Sequence, residues 1–348
     1  MPYQSDKIAA VLDHLNITHF LPAIQREFVW TPGQVVQFFD SLMRGYPIGP
    51  LLFWELKPEN HDKWQVYRFL ENVAQGGTHN EPASTNGVQR LTLVLDGQQR
   101  LTSLLIGLKG TYTVKRKYKR FGNPDAWVRQ SLYLDLLQEG RVDDSTDLGL
   151  RYNFRFIDRP PEGDTTHHWF RVGRILSCTG QDKYDEFRDA EVDKLPLPDR
   201  AATVEERAKM RARTRIVEKN LDRLYEAVWK DPTISYYTED DPDYDRVLDI
   251  FVRANQGGTK LSKSDLLLSM VTAKWGDGSA REEIYGFVDR LNGDLTRKND
   301  LDKDFVMLAG DGTAQQRFRR SIGSSLDRNA RRPPGPRGWR VRFSGRGD

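Results

Sequence analysis

Val88-Gln89-Arg90-Leu91-Thr92-Leu93-Val94-Leu95, then Asp96-Gly97-Gln98-Gln99-Arg100, then Leu101-Thr102-Ser103-Leu104-Leu105-Ile106-Gly107-Leu108 is the stretch that decides the fold. Its first part is rich in β-type residues. Its last part has helical spacing and stops at Lys109-Gly110. The order is strand, tight polar loop, helix. A strand end meeting a helix start gathers backbone N–H groups and the positive end of a helix dipole around one point. Gly97 permits close approach of an anion, Arg100 offers a fork for phosphate, and Thr102 and Ser103 add hydroxyls in the first helical turn. Asp96 is suited to hold a metal ion or polarise a water, with Gln98 or Gln99 orienting it. The competing reading is a plain Asp-Gly turn with capping side chains, and the spacing leaves both open.

Working outward, Ser5 is placed to cap a helix carrying Ile8, Val11, Leu12 and Leu15. Thr31-Pro32-Gly33-Gln34 is a capping box with Pro at the first helical position. Val35, Phe38, Phe39 and Leu42 follow as one apolar stripe ended by Gly45. Tyr46-Pro47-Ile48-Gly49 reads as a turn into a strand from Leu51 to Leu56. A short strand is expected within Trp64 to Phe69. Further strands are expected at Ser131 to Leu137, Arg151 to Ile157 and Thr233 to Tyr237. Thr203-Val204-Glu205-Glu206 opens a long helix burying Val217, Leu221, Leu224 and Val228. Another helix presents Tyr244, Val247, Leu248, Phe251 and Val252 before Asn255-Gln256-Gly257-Gly258. The paired glycines suit either a helix C-terminal turn or a bare backbone that a ligand approaches. Arg26, set among aromatics in Gln25-Arg26-Glu27-Phe28-Val29-Trp30, is either a second phosphate-gripping arginine or an arginine stacked on Trp30.

Composition removes several classes. The chain has 348 residues, of which 38% are hydrophobic and 30% charged. No run approaches the ~18 apolar residues of a membrane helix, and no signal-peptide core is seen at the N-terminus, so a cytoplasmic location is expected. Cys178 is the single cysteine, and the six histidines show no metal-binding spacing. Neither a Gly-x-x-x-x-Gly-Lys-Ser/Thr loop nor a Gly-x-Ser-x-Gly elbow occurs. Lys115 to Arg120 is a basic run, either a solvated face or a grip for a nucleic-acid backbone. The net charge of +3 conceals an asymmetry. Residues 309–348 hold ten Arg, no Lys and three Asp, a net of +7, which leaves −4 for the rest. That Arg/Gly/Pro-rich segment is expected to be disordered. Arg without Lys also points to a truncated or frame-shifted end.

Four segments in order resemble one family: Gln25-Arg26-Glu27-Phe28-Val29-Trp30, Tyr46-Pro47-Ile48-Gly49, Val94 to Thr102, and Phe251 to Ser262. Together they are similar to the N-terminal domain of GmrSD-type modification-dependent restriction enzymes, over roughly residues 5 to 308. The resemblance implies an α+β fold with a ParB/sulfiredoxin-like core and a helical C-terminal region. It divides the chain into 1–110 (core with the nucleotide loop), 111–235 (mixed extension), 236–308 (helical) and 309–348 (tail). It also implies nucleotide binding and hydrolysis coupled to DNA restriction. Asp96, Gln98, Gln99 and Arg100 then become catalytic candidates, with Asp96 as metal ligand. Gln25, Arg26, Gly97, Thr102, Ser103, Asn255, Gly257 and Gly258 become nucleotide-binding candidates. The implied cofactors are an NTP and Mg²⁺. The implied partners are DNA, including modified phage DNA, and a separate nuclease subunit. A C-terminal His-Asn-His nuclease, carried by many members, is missing, since no histidine follows His168. The alternatives are a DNA-binding module without turnover and a metal-dependent endonuclease acting through the core itself.

Overall fold

A computed structural model describes residues 3–253 except 24, 26, 76–77, 121–122, 141–148, 162–165, 197–202, 244–245, 248 and 252, together with residue 286. Arg26, Tyr244, Leu248, Val252, the 255–258 glycine turn and residues 309–348 therefore lie outside the described residues.

The fold is α+β, with two mixed sheets and helices between them. The first sheet is built from β1 (Gln4–Asp6), β2 (His19–Pro22), β3 (Leu51–Leu56), β4 (Val66–Tyr67), β6 (Pro82–Ala83), β7 (Leu91–Asp96) and β12 (Ile234–Glu239). Its order is β1-β12-β3-β7-β2-β4-β6, so β7 lies in the middle. It is antiparallel to β3 and parallel to β2. Burial on both faces explains why Leu93-Val94-Leu95 of β7 reads as a continuous apolar run instead of an alternating one. Strand β12, far along the chain, inserts parallel to β3 and completes this sheet.

The second sheet has the order β10-β9-β8-β5, with β11 also paired to β9. Its strands are β5 (Asn72–Ala74), β8 (Thr111–Lys115), β9 (Trp127–Glu139), β10 (Tyr152–Ile157) and β11 (Trp169–Arg171). The long β9 is shared by three partners: β8 along its first half, and β10 and β11 on opposite edges of its second half.

Helix α1 (Ile8–His14) buries Ile8, Ala9, Val11 and Leu12. Its N-cap is Lys7, and Ser5 belongs to β1, paired with Ser235. The cap expected of Ser5 is therefore replaced by a strand pairing that local sequence does not reveal. Helix α2 (Pro32–Met43) carries the expected Thr31/Gln34 capping box, reciprocated by both partners. Helix α3 (Gln98–Leu108) is buried on nearly every side, from Gln98 to Leu108, with only Arg100 intermediate. Such a helix belongs to the interior and not to a surface. It packs on α1 and α2 and against β8 and β9. Helix α4 (Gln181–Val192) packs on α5 (Val204–Tyr225), where the Tyr184 and Tyr225 rings stack 3.9 Å apart. The Thr203/Glu206 capping box opens α5, and a π-helical turn at Glu226–Lys230 continues it. Residues from Ile8 to Ile234 share one hydrophobic core. A smaller core, on the other side of the first sheet, joins Leu91, Leu93 and Leu95 to Val247 and Phe251. Among the described residues no helix is long and apolar enough to cross a membrane.

Candidate functional site

The five-residue polar loop expected at 96–100 contracts to one residue. Asp96 ends β7, Gly97 is the N-cap of α3 with φ of 95°, and Gln98, Gln99 and Arg100 form the first helical turn. Glycine is required twice over here. The left-handed φ disfavours any Cβ, and a Cβ would fall 2.1 Å from Leu51 Cδ2. The bend thus packs against a leucine side chain at the start of β3.

Each polar side chain of the turn is tied to a neighbouring backbone segment. The Arg100 guanidinium donates through Nη1 to Ile48 O and Gly49 O, both at 2.7 Å. Through Nη2 it donates to Pro50 O at 3.2 Å and Asp96 Oδ2 at 3.0 Å. Burial draws the Arg100 pKa below its ordinary value, while the adjacent Asp96 carboxylate opposes that shift. Gln99 donates from Nε2 to Glu27 O and accepts the Val29 N–H at Oε1, each at 2.9 Å. These two bonds imitate a strand pairing with the 27–29 segment. Gln25 donates from Nε2 to Val94 O and Leu95 O, on the last residues of β7. Its segment is thereby held from both sides.

The hydroxyls turn inward. Thr102 and Ser103 are buried, and Ser103 Oγ donates back to Gln99 O at 2.7 Å within the helix. Gln98 is buried as well. The sequence reading aimed Arg100, Thr102 and Ser103 at a phosphate. In the folded chain Arg100 is instead engaged with three carbonyls and a carboxylate, and the two hydroxyls face the interior. The reason is that α3 is a core helix, so most of its first turn is enclosed by protein. Trp30 packs edge-on against Phe38, 5.6 Å between centroids. The expected contributions of Arg26, Asn255, Gly257 and Gly258 lie outside the described residues.

Among the candidate side chains of the turn, Asp96 is the most open. Its side chain is 36% exposed, against 17% for Arg100. It lies where β7 ends, near Gln25, the 27–29 segment and the Ile48–Gly49–Pro50 strap. The strap was legible as a turn, but its carbonyls as Arg100 acceptors were not. Backbone acceptors leave no compositional mark, although the glycine at Gly49, with φ of 77°, hinted at a close approach. A Cβ there would lie 3.0 Å from Arg100 Nη1.

The same turn lies inside a known domain. A profile described as the GmrSD restriction endonuclease N-terminal domain matches residues 8–272. An uncharacterized protein of Methanocaldococcus jannaschii is 34% identical over 125 residues, 36% of this chain and 19% of that protein. The chain therefore spans about a fifth of the length of that curated relative. The profile covers most of the chain, including the second sheet, every strand of the first except the edge strand β1, and all the stapled segments described above, and the chain belongs to the family of GmrSD restriction endonuclease N-terminal domains.

Proposed function

We propose that this chain is the nucleotide-hydrolysing sensor domain of a DNA-restriction, phage-defence system, with Asp96 as the acidic group of its nucleotide site. The observation that supports this reading is the half-open Asp96 carboxylate at the end of the central strand, beside a helix N-terminus, with three backbone segments anchored around it by Gln25, Gln99 and Arg100. Family membership supports the coupling to restriction. DNA, including modified phage DNA, is the substrate this reading implies, acting with a nuclease supplied by another chain or segment.

Mg²⁺ is compatible with the residues present. This ion is commonly held by one or two carboxylates together with nucleotide phosphates and waters, and Asp96 supplies one such carboxylate. When bound with the nucleotide it would neutralise charge on the transferring phosphoryl group. Asp96 would hold that ion or orient the attacking water. Arg100 positions Asp96 through the 3.0 Å bond to Oδ2 and positions the 48–50 strap through its carbonyls. Gln99 fixes the 27–29 segment next to Arg26. Arg26, Asn255, Gly257 and Gly258 complete the pocket in this reading, and its phosphate-binding cation is then Arg26.

The test is phosphate release from each of the four NTPs with Mg²⁺, with and without modified DNA, for the parent chain and Asp96→Asn. At least one NTP should be turned over by the parent, and Asp96→Asn should lower that rate by about 100-fold or more. An unchanged rate in the variant removes Asp96 from the chemistry. No hydrolysis of any NTP by the parent under either condition overturns the function.

A further inference from the structure

The outer face of the second sheet has a composition that neither the nucleotide site nor the core explains. Side chains alternate across a strand, so the register identifies which residues share this face. Leu132, Leu134, Phe154 and Phe170 point into the core. The opposite face therefore carries Arg155, Tyr133 and Arg171 in one cross-strand row, since Arg155 and Arg171 both pair with Tyr133. Two positions before Tyr133 along β9 is Ser131, and two before that is Arg129, opposite Thr113. Arg129, Arg155 and Arg171 are exposed, and Tyr133 is half-buried.

Among the described residues, none of Arg129, Arg155 and Arg171 has a carboxylate within ion-pair distance, and the exposed carboxylate on the same face of β9, Glu139, lies at the far end of the strand. The carboxylate in the middle of the sheet, Asp135, is fully buried and occupied by the His168 N–H, the Leu137 N–H and the Asn153 amide, as well as by His167. Arg155 is held in place by Asn153 Oδ1 at 3.2 Å and lies 5.7 Å over the Trp169 ring. The β8–β9 hairpin extends the positive field beyond the sheet edge with the exposed residues Arg116 to Arg120, among them Tyr118 at full exposure.

We propose that this face binds single-stranded nucleic acid. An antiparallel surface with an aromatic residue between two guanidinium groups fits a strand whose bases are unstacked and whose phosphates lie alongside. Aromatic rings accept any base face, while arginines track the backbone. Duplex DNA hides its base faces and gives Tyr133 nothing to stack on. Charge complementarity and the alternating row of arginine and tyrosine thus favour the single strand. The proposal does not rest on the nucleotide site: these residues are on the other sheet from Asp96, and their variants should keep the NTP turnover of the parent.

The test is fluorescence anisotropy of the full chain with a labelled oligothymidine of about 20 nucleotides, the matching oligouridine, and a duplex of the same length, across a salt series. Single strands should bind more tightly than duplex. Arg129→Ala, Arg155→Ala and Arg171→Ala combined should reduce the slope of log K against log salt by about 2, at roughly 0.7 for each phosphate no longer neutralised. Tyr133→Ala should weaken binding about tenfold with the slope preserved. The arginines of residues 309–348 are the same in every variant, so the difference reads the sheet face alone. Tighter binding of the duplex, no binding of any probe, or a triple variant whose slope and affinity match the parent would each overturn the proposal. A preference between the DNA and RNA strands identifies which one the surface takes, and either supports it.

Discussion

Replacing Arg100 should destabilise the protein before it says anything about chemistry. The guanidinium makes four donations, to Ile48 O, Gly49 O, Pro50 O and Asp96 Oδ2. A hydrogen bond involving a charged partner is worth about 1.5–3 kcal/mol, but the four do not add. The bonds to Gly49 O and Pro50 O are solvent-exposed, so water replaces them when the side chain is cut away. Those to Ile48 O and Asp96 are partly buried, and these dominate the loss. Discounting for the exposure of Asp96, two bonds at the lower limit give about 3 kcal/mol for Arg100→Ala. In a chain of 348 residues that corresponds to a fall in Tm of about 4 °C. Arg100→Lys separates geometry from charge. An ammonium keeps the attraction to Asp96, yet it cannot span the strap carbonyls as a planar fork does. Losing the partly buried bond to Ile48 O should cost it about 1.5 kcal/mol. Thermal unfolding followed by circular dichroism, with urea titration as a second measure, reads both variants. If Arg100→Ala melts within about a degree of the parent, or if Arg100→Lys is as stable as Arg100, the staple is not what holds the strap. Arg100 would then be available to phosphate after all, and its loss would appear in KM for nucleotide.

Gly97→Ala should cost about 2–5 kcal/mol by urea denaturation, from left-handed backbone strain plus the collision with Leu51 Cδ2 at 2.1 Å. Combined with Leu51→Ala it should cost less than the sum of the two single changes, and strict additivity would show that the collision is relieved by other means. His19 gives a pH dependence. Burial, and then the charge of the neighbouring His14, lower its pKa from 6.5 to about 4. The unfolded chain therefore binds a proton that the folded chain refuses between those values, and stability that is present above pH 6.5 is lost as pH falls towards 4. His19→Gln should flatten the stability–pH curve in that window by about one proton's slope; an unchanged curve assigns the acid lability elsewhere.

Elements with strong local signals are where the sequence reading indicates. The Thr31 and Thr203 capping boxes, the strand Leu51–Leu56 and the stripe Val217, Leu221, Leu224 and Val228 all depend on contacts within a few residues or on a single buried face. What escaped depends on distant partners. Strands β1 and β2 are three and four residues long, and they exist because β12 and β7 offer them a ladder. Helix α4 is polar enough, with Tyr184 its only fully enclosed aromatic, that its pattern is faint. At the site, sequence located the strand–glycine–helix junction and identified Gly97 as the bend. It did not show that α3 lies in the interior, because Leu101 to Leu108 read the same on a half-exposed helix as on an enclosed one. That single missing fact changes the meaning of Arg100, Thr102 and Ser103.

The polar character of the Asp-Gly-Gln-Gln-Arg turn then has a physical source other than ligand binding. Three irregular segments, at 25, at 27–29 and at 48–50, meet at the end of β7, and irregular backbone near a core leaves carbonyls and N–H groups that need partners. Gln99 and Arg100 supply those partners for 27–29 and 48–50 from one helical turn, while Gln25 ties its own segment to the Val94 and Leu95 carbonyls of β7. An apolar substitute at any of these positions would strand backbone groups, while a shorter polar one would not reach. Such a scaffold is also what a site for a charged ligand requires, since groups held rigid before binding lose little freedom on binding. The two roles divide within the motif by exposure. Changes at Gln99 and Arg100 should be read first in unfolding, whereas a change at the more open Asp96 should be read first in turnover. A stable Arg100→Ala with lost turnover, alongside an Asp96→Asn that unfolds, would reverse that division.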